Sequence, residues 1–308
     1  MLAIISHKDC LKHNVEIIEH PECPNRLQVV FDALHAAKLD NLLSFEEAPL
    51  AAVDQLCRVH DNEYVNSLLA LTPKNNMISP DGDTILGPNT MSAALYAAGA
   101  VIKAVDLVMQ QQAMSAFCNV RPPGHHAESK RSMGFCFFNN VAVGVAHALT
   151  IHQLKRVAII DFDAHRGNGT EAIFRNNKKV LICSIYEELL YPFDKLEQAD
   201  NIVYIPLAPG ATGREFRAEI TQNGLEKIAA FKPQMIFFSA GFDGHVFDSM
   251  SNLNLTEFDY LWITQQIKQI ADKYSQNRMV SVLEGGYDLG TLGQCVVAHI
   301  KGMIGGLK

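Results

Sequence analysis

Asp163, His165 and Asp243 are the residues of this chain best suited to hold a divalent cation. Asp163 and His165 stand one residue apart in Ile159-Ile160-Asp161-Phe162-Asp163-Ala164-His165-Arg166-Gly167-Asn168-Gly169. There an apolar run, Val157 to Ile160, ends in two carboxylates and an imidazole before a Gly-Asn-Gly turn. Asp243 follows another apolar run, in Phe237-Phe238-Ser239-Ala240-Gly241-Phe242-Asp243-Gly244. Open α/β sheets place their sites at the carboxyl ends of their strands. Two carboxylates and one imidazole with open coordination form the pattern of a catalytic rather than a structural zinc site. The two carboxylates neutralise the dication, which acidifies a water and polarises a carbonyl. A cation also relieves the cost of burying the carboxylates. Asp161, at the same strand end, stands as a further ligand or as a support.

Two more stretches carry chemistry that packing does not require. Arg121-Pro122-Pro123-Gly124-His125-His126-Ala127-Glu128 sets two adjacent histidines after a stiff turn. Adjacent imidazoles in one pocket disfavour double protonation, so they suit an acid/base pair in different charge states, or metal ligands. Val282-Leu283-Glu284-Gly285-Gly286-Tyr287 places a tyrosine past a Gly-Gly turn, where its hydroxyl could donate to an oxyanion. Taken singly, each has a plainer explanation: surface histidines, aspartates in caps and turns, a tyrosine packed at an edge. Taken together they describe amide hydrolysis, with a histidine taking a proton from water and returning it to the leaving amine.

Such groups must be held by regular elements, and the pattern supplies them. Strand-like runs at Met114–Asn119, Arg156–Asp161, Val180–Ile185, Ile202–Ile205, Met235–Ala240 and Met279–Leu283 join an opening strand near the N-terminus. Between them lie helical spacings at Thr90–Met109, Asn139–Thr150, Gly213–Ala230, Thr256–Tyr274 and Leu289–Ile304. Alternating β and α segments with near-continuous apolar strands predict an α/β fold: one domain over residues 1–308, a central, mainly parallel sheet, and helices on both faces. Loop-rich stretches at 14–25, 74–89, 121–138 and 187–200 are the expected pocket builders.

Composition narrows the class. The 308 residues are 48% hydrophobic with a net charge of -7, without the basic stripe of a nucleic-acid binder. Seven scattered cysteines with no Cys-x-x-Cys read as reduced thiols, which points to the cytoplasm. The start reads as a strand rather than a signal peptide. No apolar stretch is expected to be long and unbroken enough to span a membrane. Oligomeric state is not legible.

In combination and order, Pro-Gly-His-His, Asp-x-Asp-x-His-x-Gly-Asn-Gly, Gly-Phe-Asp and Glu-Gly-Gly-Tyr resemble the histone deacetylase and acetylpolyamine amidohydrolase family, of the arginase–deacetylase fold. The likeness runs from His20-Pro21-Glu22 to the Gly-Gly-Tyr turn. It implies zinc-dependent hydrolysis of N-acyl amides on lysine side chains or polyamines. By motif position it implies Asp163, His165 and Asp243 as zinc ligands, and His126 as general base and acid with His125 as its electrostatic partner. Asp161 would orient His125 and Asn168 would orient His126; an asparagine there is similar to the class II branch. Tyr287 would polarise the acyl carbonyl. Gly134, Phe135 and Tyr191 would line the acyl-lysine tunnel, Asp83 would stand at its rim, and Met250 would fall at a gate position that is acidic in one polyamine-specific branch. Arg26 would lie below the metal near the acetate exit. A potassium ion would sit among backbone oxygens, with Asp161 and Ser184 as side-chain contributors.

The chain departs from the family pattern at two places: Arg166 where a second histidine is common, and Phe193-Asp194-Lys195 where Gly-Thr-Gly follows the Tyr-Pro. Arginine stays charged, so Arg166 should turn from the cation toward an acidic or carbonyl partner. An apolar Met250 favours an acyl-lysine peptide or protein as substrate. Glu187, Glu188 and the negative net charge favour an acetylated polyamine or another small acylated amine. A two-manganese ureohydrolase needs another aspartate two residues after the histidine, where Gly167 stands. A non-catalytic acyl-lysine binding module is the remaining alternative.

Overall fold

The computed structural model describes residues 1–13, 20–79 and 82–306. Parts of the first two loop-rich stretches, residues 14–19 and 80–81, lie outside the described residues. Among the described residues there are eight strands: β1 (Leu2–Ser6), β2 (Leu43–Glu47), β3 (Ser115–Cys118), β4 (Val157–Asp161), β5 (Val180–Glu187), β6 (Ile202–Leu207), β7 (Met235–Ala240) and β8 (Met279–Leu283). They form one open sheet in the order β2-β1-β3-β8-β7-β4-β5-β6, and every pairing is parallel. The interior strands β3, β4, β7 and β8 are buried along their whole length, which is why they read as continuous apolar runs. Edge strand β2 (Leu-Ser-Phe-Glu-Glu) is buried only at Leu43, leaves Phe45 exposed, and went unread in the sequence.

The helices are α1 (Asn25–Ala36), α2 (Val53–Leu56), α3 (Asn62–Leu71), α4 (Thr90–Met109), α5 (Asn140–Thr150), α6 (Asn168–Phe174), α7 (Gly213–Asn223), α8 (Leu225–Phe231), α9 (Glu257–Tyr274) and α10 (Leu292–Ile304). The segment read as one helix over 213–230 is two, parted at Gly224, a poor helix former. At the start of α9 the Asp259 carboxylate accepts the Thr256 N–H at 2.9 Å, so the early acid closes the cap. One sequence expectation is corrected: α4, 20 residues in extent, is long and apolar enough by length and composition to cross a membrane. Here its alanine-rich face packs into the core, and most of the helix is buried.

The sheet order explains the site. The four motif-bearing loops leave the carboxyl ends of β3, β8, β7 and β4, which are consecutive neighbours. Residues from 121 to 287 therefore meet at one edge of the sheet. Beneath them Phe162, Phe238, Phe242 and Tyr260 form a buried aromatic floor.

Candidate active site

Asp163, His165 and Asp243 come together. One donor atom from each lies within 4.8 Å of the others, and all three residues are buried. His165 Nδ1 stands 3.1 Å from Asp163 Oδ1 and 2.8 Å from Asp243 Oδ2. Backbone donors fix the carboxylates: Gly285 N–H donates to Asp163 Oδ2 at 2.8 Å, and Ala164 N–H to Asp243 Oδ1 at 2.9 Å. This close approach requires glycine. A Cβ at Gly241 would fall 2.0 Å from Asp163 Oδ2, and one at Gly285 would fall 2.3 Å from Asp243 Oδ2. Two buried carboxylates and one imidazole, aimed at one point and held from behind, fit a dication such as zinc.

The environments of the adjacent histidines push them in opposite directions, His125 toward the charged form and His126 toward the neutral one. His125 Nδ1 lies 3.1 Å from Asp161 Oδ2, and its Nε2 lies 3.8 Å from Asp163. Burial opposes its charge, but Asp163 and Asp161 outweigh burial and hold it up at about 10. Burial, then the charges of His125 and His165, push His126 well below the usual histidine range. The His125 and His126 rings are 4.0 Å apart. His126 Nδ1 lies 2.9 Å from Asn168 Oδ1. The Asn168 amide is itself oriented, because its nitrogen donates to Glu128 Oε1 at 3.0 Å. Asn168 oxygen thus accepts from His126 Nδ1, and Nε2 is left with a free lone pair.

Tyr287 is held by Asp248 and Arg26. Asp248 Oδ2 accepts its backbone N–H at 2.5 Å, and Asp248 Oδ1 accepts that of Met250 at 3.0 Å. Burial keeps its hydroxyl well above the usual tyrosine range, so it remains a donor. The Arg26 guanidinium lies 4.8 Å from the Tyr287 ring centroid and donates to Gly286 O (2.6 Å) and Glu284 O (2.5 Å). Arg26 thus braces the Gly-Gly-Tyr turn from behind.

Sequence reasoning missed three acids that hold this frame. Glu284 accepts the N–H of Gly124 (2.7 Å) and of His125 (3.1 Å), and burial pushes it up to about 7. Asp248 is the second. Glu22, quoted only as part of a motif, is the third: buried, it accepts two bonds from Arg121 (2.6 and 2.7 Å) and one from Arg26 (3.0 Å). Burial disfavours the Glu22 charge, but Arg121, His13 and Arg26 prevail and hold it at about 2. A depressed carboxyl contributes stability above its unfolded value and loses it as pH falls toward the folded value. Glu22 should therefore stabilise fully above about pH 4.5 and progressively less toward about pH 2. Glu22→Gln should cost about 3–5 kcal/mol at neutral pH, since it strands two buried guanidinium groups. Denaturant unfolding checks this, and a loss under about 1 kcal/mol would deny the pairing that role.

Above the ligands opens a pocket of about 200 Å³ lined by Asp83, His126, Gly134, Phe135, His165, Tyr191, Met250 and Tyr287. It unites residues named separately from the sequence. Gly134 has φ +57°, and a Cβ there would meet His126 Cδ2 at 2.5 Å and Tyr191 Cε1 at 3.0 Å. Tyr191 stands edge-on to His126, 5.0 Å between centroids, and Phe135 is edge-on to Tyr287 at 6.0 Å. Ser184 pairs in register with Asp161 across β4 and β5 and is buried. Glu187, weighed as a rim charge, is buried and binds Asn252 through both oxygens at 2.7 Å.

Arg166 turns away from the ligands toward acids. It donates to Glu171 Oε2 at 2.7 Å and pairs with the Asp194 carboxylate. Among the described residues one other group has metal-ligand types: Asp106, His147 and His152. There Arg58 donates to His147 Nδ1 at 2.9 Å, which makes Nε2 the protonated donor to Asp106 at 2.8 Å. That group is satisfied as a hydrogen-bonded cluster.

Comparison with known proteins matches residues 20–303 to the model described as the histone deacetylase domain. A probable deacetylase of Archaeoglobus fulgidus is 35% identical over 93% of the chain and 81% of its own length. Type-2 histone deacetylase 2 of Dictyostelium discoideum is 33% identical over 97% of the chain, which spans 20% of that longer protein. The crystal structure of the HDA15 HD domain superposes with a TM-score of 0.91 at 28% identity, covering 98% of this chain and 88% of that one.

Proposed function

The chain belongs to the histone deacetylase family, and from that premise we propose that it removes acetyl or other acyl groups from lysine side chains, with zinc held by Asp163, His165 and Asp243. The observation that carries this reading is the narrow pocket whose lining brings Phe135 and Tyr191 together with His126, His165 and Tyr287. Aromatic walls suit a long aliphatic stem with a neutral acylated tip. The ion, when bound, supplies Lewis acidity that lowers the pKa of water and polarises a carbonyl.

The remaining chemistry belongs to the chain. His126, neutral and with its lone pair on Nε2, accepts the water proton and later delivers it to the leaving amine. His125 keeps its charge beside Asp161, which keeps His126 neutral, with its lone pair available to a proton. Tyr287 donates from its hydroxyl to the acyl oxygen as negative charge grows there. Asn168 fixes the His126 tautomer, and Gly134 lets the tunnel wall approach the ring. Asp161 and Ser184, with nearby backbone oxygens, would hold a structural potassium ion. Residues 1–308 act as one catalytic domain in this reading.

Acyl-lysine is favoured over acetylpolyamine because Met250 lines the pocket and Glu187 is engaged with Asn252 rather than free to hold a distant ammonium. Asp83, also on the lining, is the feature that favours a cationic substrate. kcat/KM for acetyl-lysine peptides, longer acyl-lysine peptides and acetylpolyamines decides between them. Preference for a polyamine by tenfold or more would reverse the assignment of substrate. The ureohydrolase alternative lacks a carboxylate at Gly167, where a Cβ would fall 2.3 Å from Asp161 Oδ2. Against a binding module, Tyr287→Phe should lower kcat about 10²–10³-fold with zinc content unchanged. Unaltered turnover would remove Tyr287 from the mechanism.

A further inference from the structure

The chain's two departures from the family pattern, Arg166 and Phe193-Asp194-Lys195, meet in space. The buried Arg166 guanidinium pairs with the Asp194 carboxylate and also donates to Asp194 O at 3.4 Å. Its other nitrogen is anchored on Glu171 of α6, the helix that begins with Asn168. One guanidinium thus joins the element that orients His126 to the segment that carries Tyr191. Behind that segment is a cavity of about 440 Å³, lined in part by Arg166, Leu190, Pro192, Phe193, Asp194 and Leu196. Close packing is absent on that side, so a polar tether has a position to define. In front, Tyr191 stands against His126, and the exposed Phe193 ring is perpendicular to Tyr191 at 6.1 Å.

We propose that Arg166 and Asp194 form a strut that sets Tyr191 as a wall of the acyl-lysine tunnel. Both are then positioning residues for substrate, although neither lines the pocket. The planar fork of arginine is what permits this: one nitrogen serves α6 and another serves the loop, a geometry that lysine does not reproduce. With the strut intact the slot is narrow and favours acetyl. With it cut, Tyr191 swings more freely, acetyl-lysine binds less well, and bulkier acyl groups lose less.

The inference rests on the acyl-lysine reading, and its test separates the two. Asp194→Asn, Arg166→Lys and the double variant are compared with wild type as full-length, zinc-loaded protein. Each single change should raise KM for an acetyl-lysine peptide about three- to fivefold, with kcat within about twofold. The butyryl-to-acetyl ratio of kcat/KM should rise. A fluorescein-labelled acetyl-lysine peptide should bind the same variants, made in a Tyr287→Phe background, with Kd raised by the same factor. The double variant should match the worse single, because the two residues act as one unit. Tryptic cleavage after the exposed Lys195 should also quicken in each variant, a readout that needs no substrate. If wild type hydrolyses none of these acylated amines, the functional reading falls while the cleavage rate still decides the strut. Unchanged KM, Kd and cleavage, or effects that multiply in the double variant, would overturn the strut.

Discussion

His126→Ala is expected to lower kcat by about 10²–10⁴-fold, the range typical of losing a general acid–base residue. The expectation rests on one geometric chain. Glu128 orients Asn168, Asn168 accepts from His126 Nδ1, and Nε2 is left free among groups that keep the ring neutral. His125 does not substitute, because Asp163 and Asp161 hold its proton. Zinc content should stay at the wild-type level, since the three proposed ligands are untouched. KM should rise modestly, because the His126 ring also contacts Tyr191. Steady-state kinetics with metal analysis on the same sample checks both points. A kcat within tenfold of wild type would move the base elsewhere.

Asp243→Asn should bring kcat below about 10⁻³ of wild type, because several kcal/mol of charge stabilisation leave with the ion. Asparagine keeps an oxygen to accept the Ala164 N–H, so the turn after β7 should hold. In metal-free protein the variant should be no less stable than wild type. Asp163 and Asp243 share a buried space around one imidazole, and the substitution removes one of two like charges there. Zinc should separate the two proteins: at 100 times its Kd an ion that binds only the folded state stabilises by about 2.7 kcal/mol. Wild-type Tm should rise on adding zinc, and that of the variant should not. Stoichiometric zinc retained by Asp243→Asn after desalting would show that the ligand set is wrongly drawn.

The sheet's interior was legible because β3, β4, β7 and β8 are buried on both faces, and burial on both faces leaves an unbroken apolar run. His125, His126, Asp163, His165, Asp243 and Tyr287 were legible because each follows such a run at its carboxyl end. Edge strand β2 was not, since three of its five residues are polar and it pairs on one side only. Glu22 and Glu284 escaped for another reason. A carboxylate reveals itself as buried only when its partners are known, and Arg121 lies 99 residues from Glu22 while Gly124 lies 160 from Glu284. Arg26 was legible as an important position but not in its duty, which depends on carbonyls about 260 residues further along. Arg166 and Asp194 each stood out as irregular; only the fold shows them as partners.

The adjacency of β3, β8, β7 and β4 has a consequence for local opening. Neighbouring strands keep a spacing of about 4.8 Å, set by their backbone ladder. The distances among the residues at their ends are inherited from that ladder rather than chosen by loops. Opening the floor of the site means breaking interior sheet, which belongs to the slowest-exchanging part of a domain. The mouth, on the segment from Tyr191 to Lys195, belongs to no strand or helix and can open at much lower free energy. Backbone amide exchange should therefore divide the pocket by depth, slow at Asp161 and Ser239 and fast near Phe193. Entry of substrate and retention of the ion are thereby governed by separate barriers.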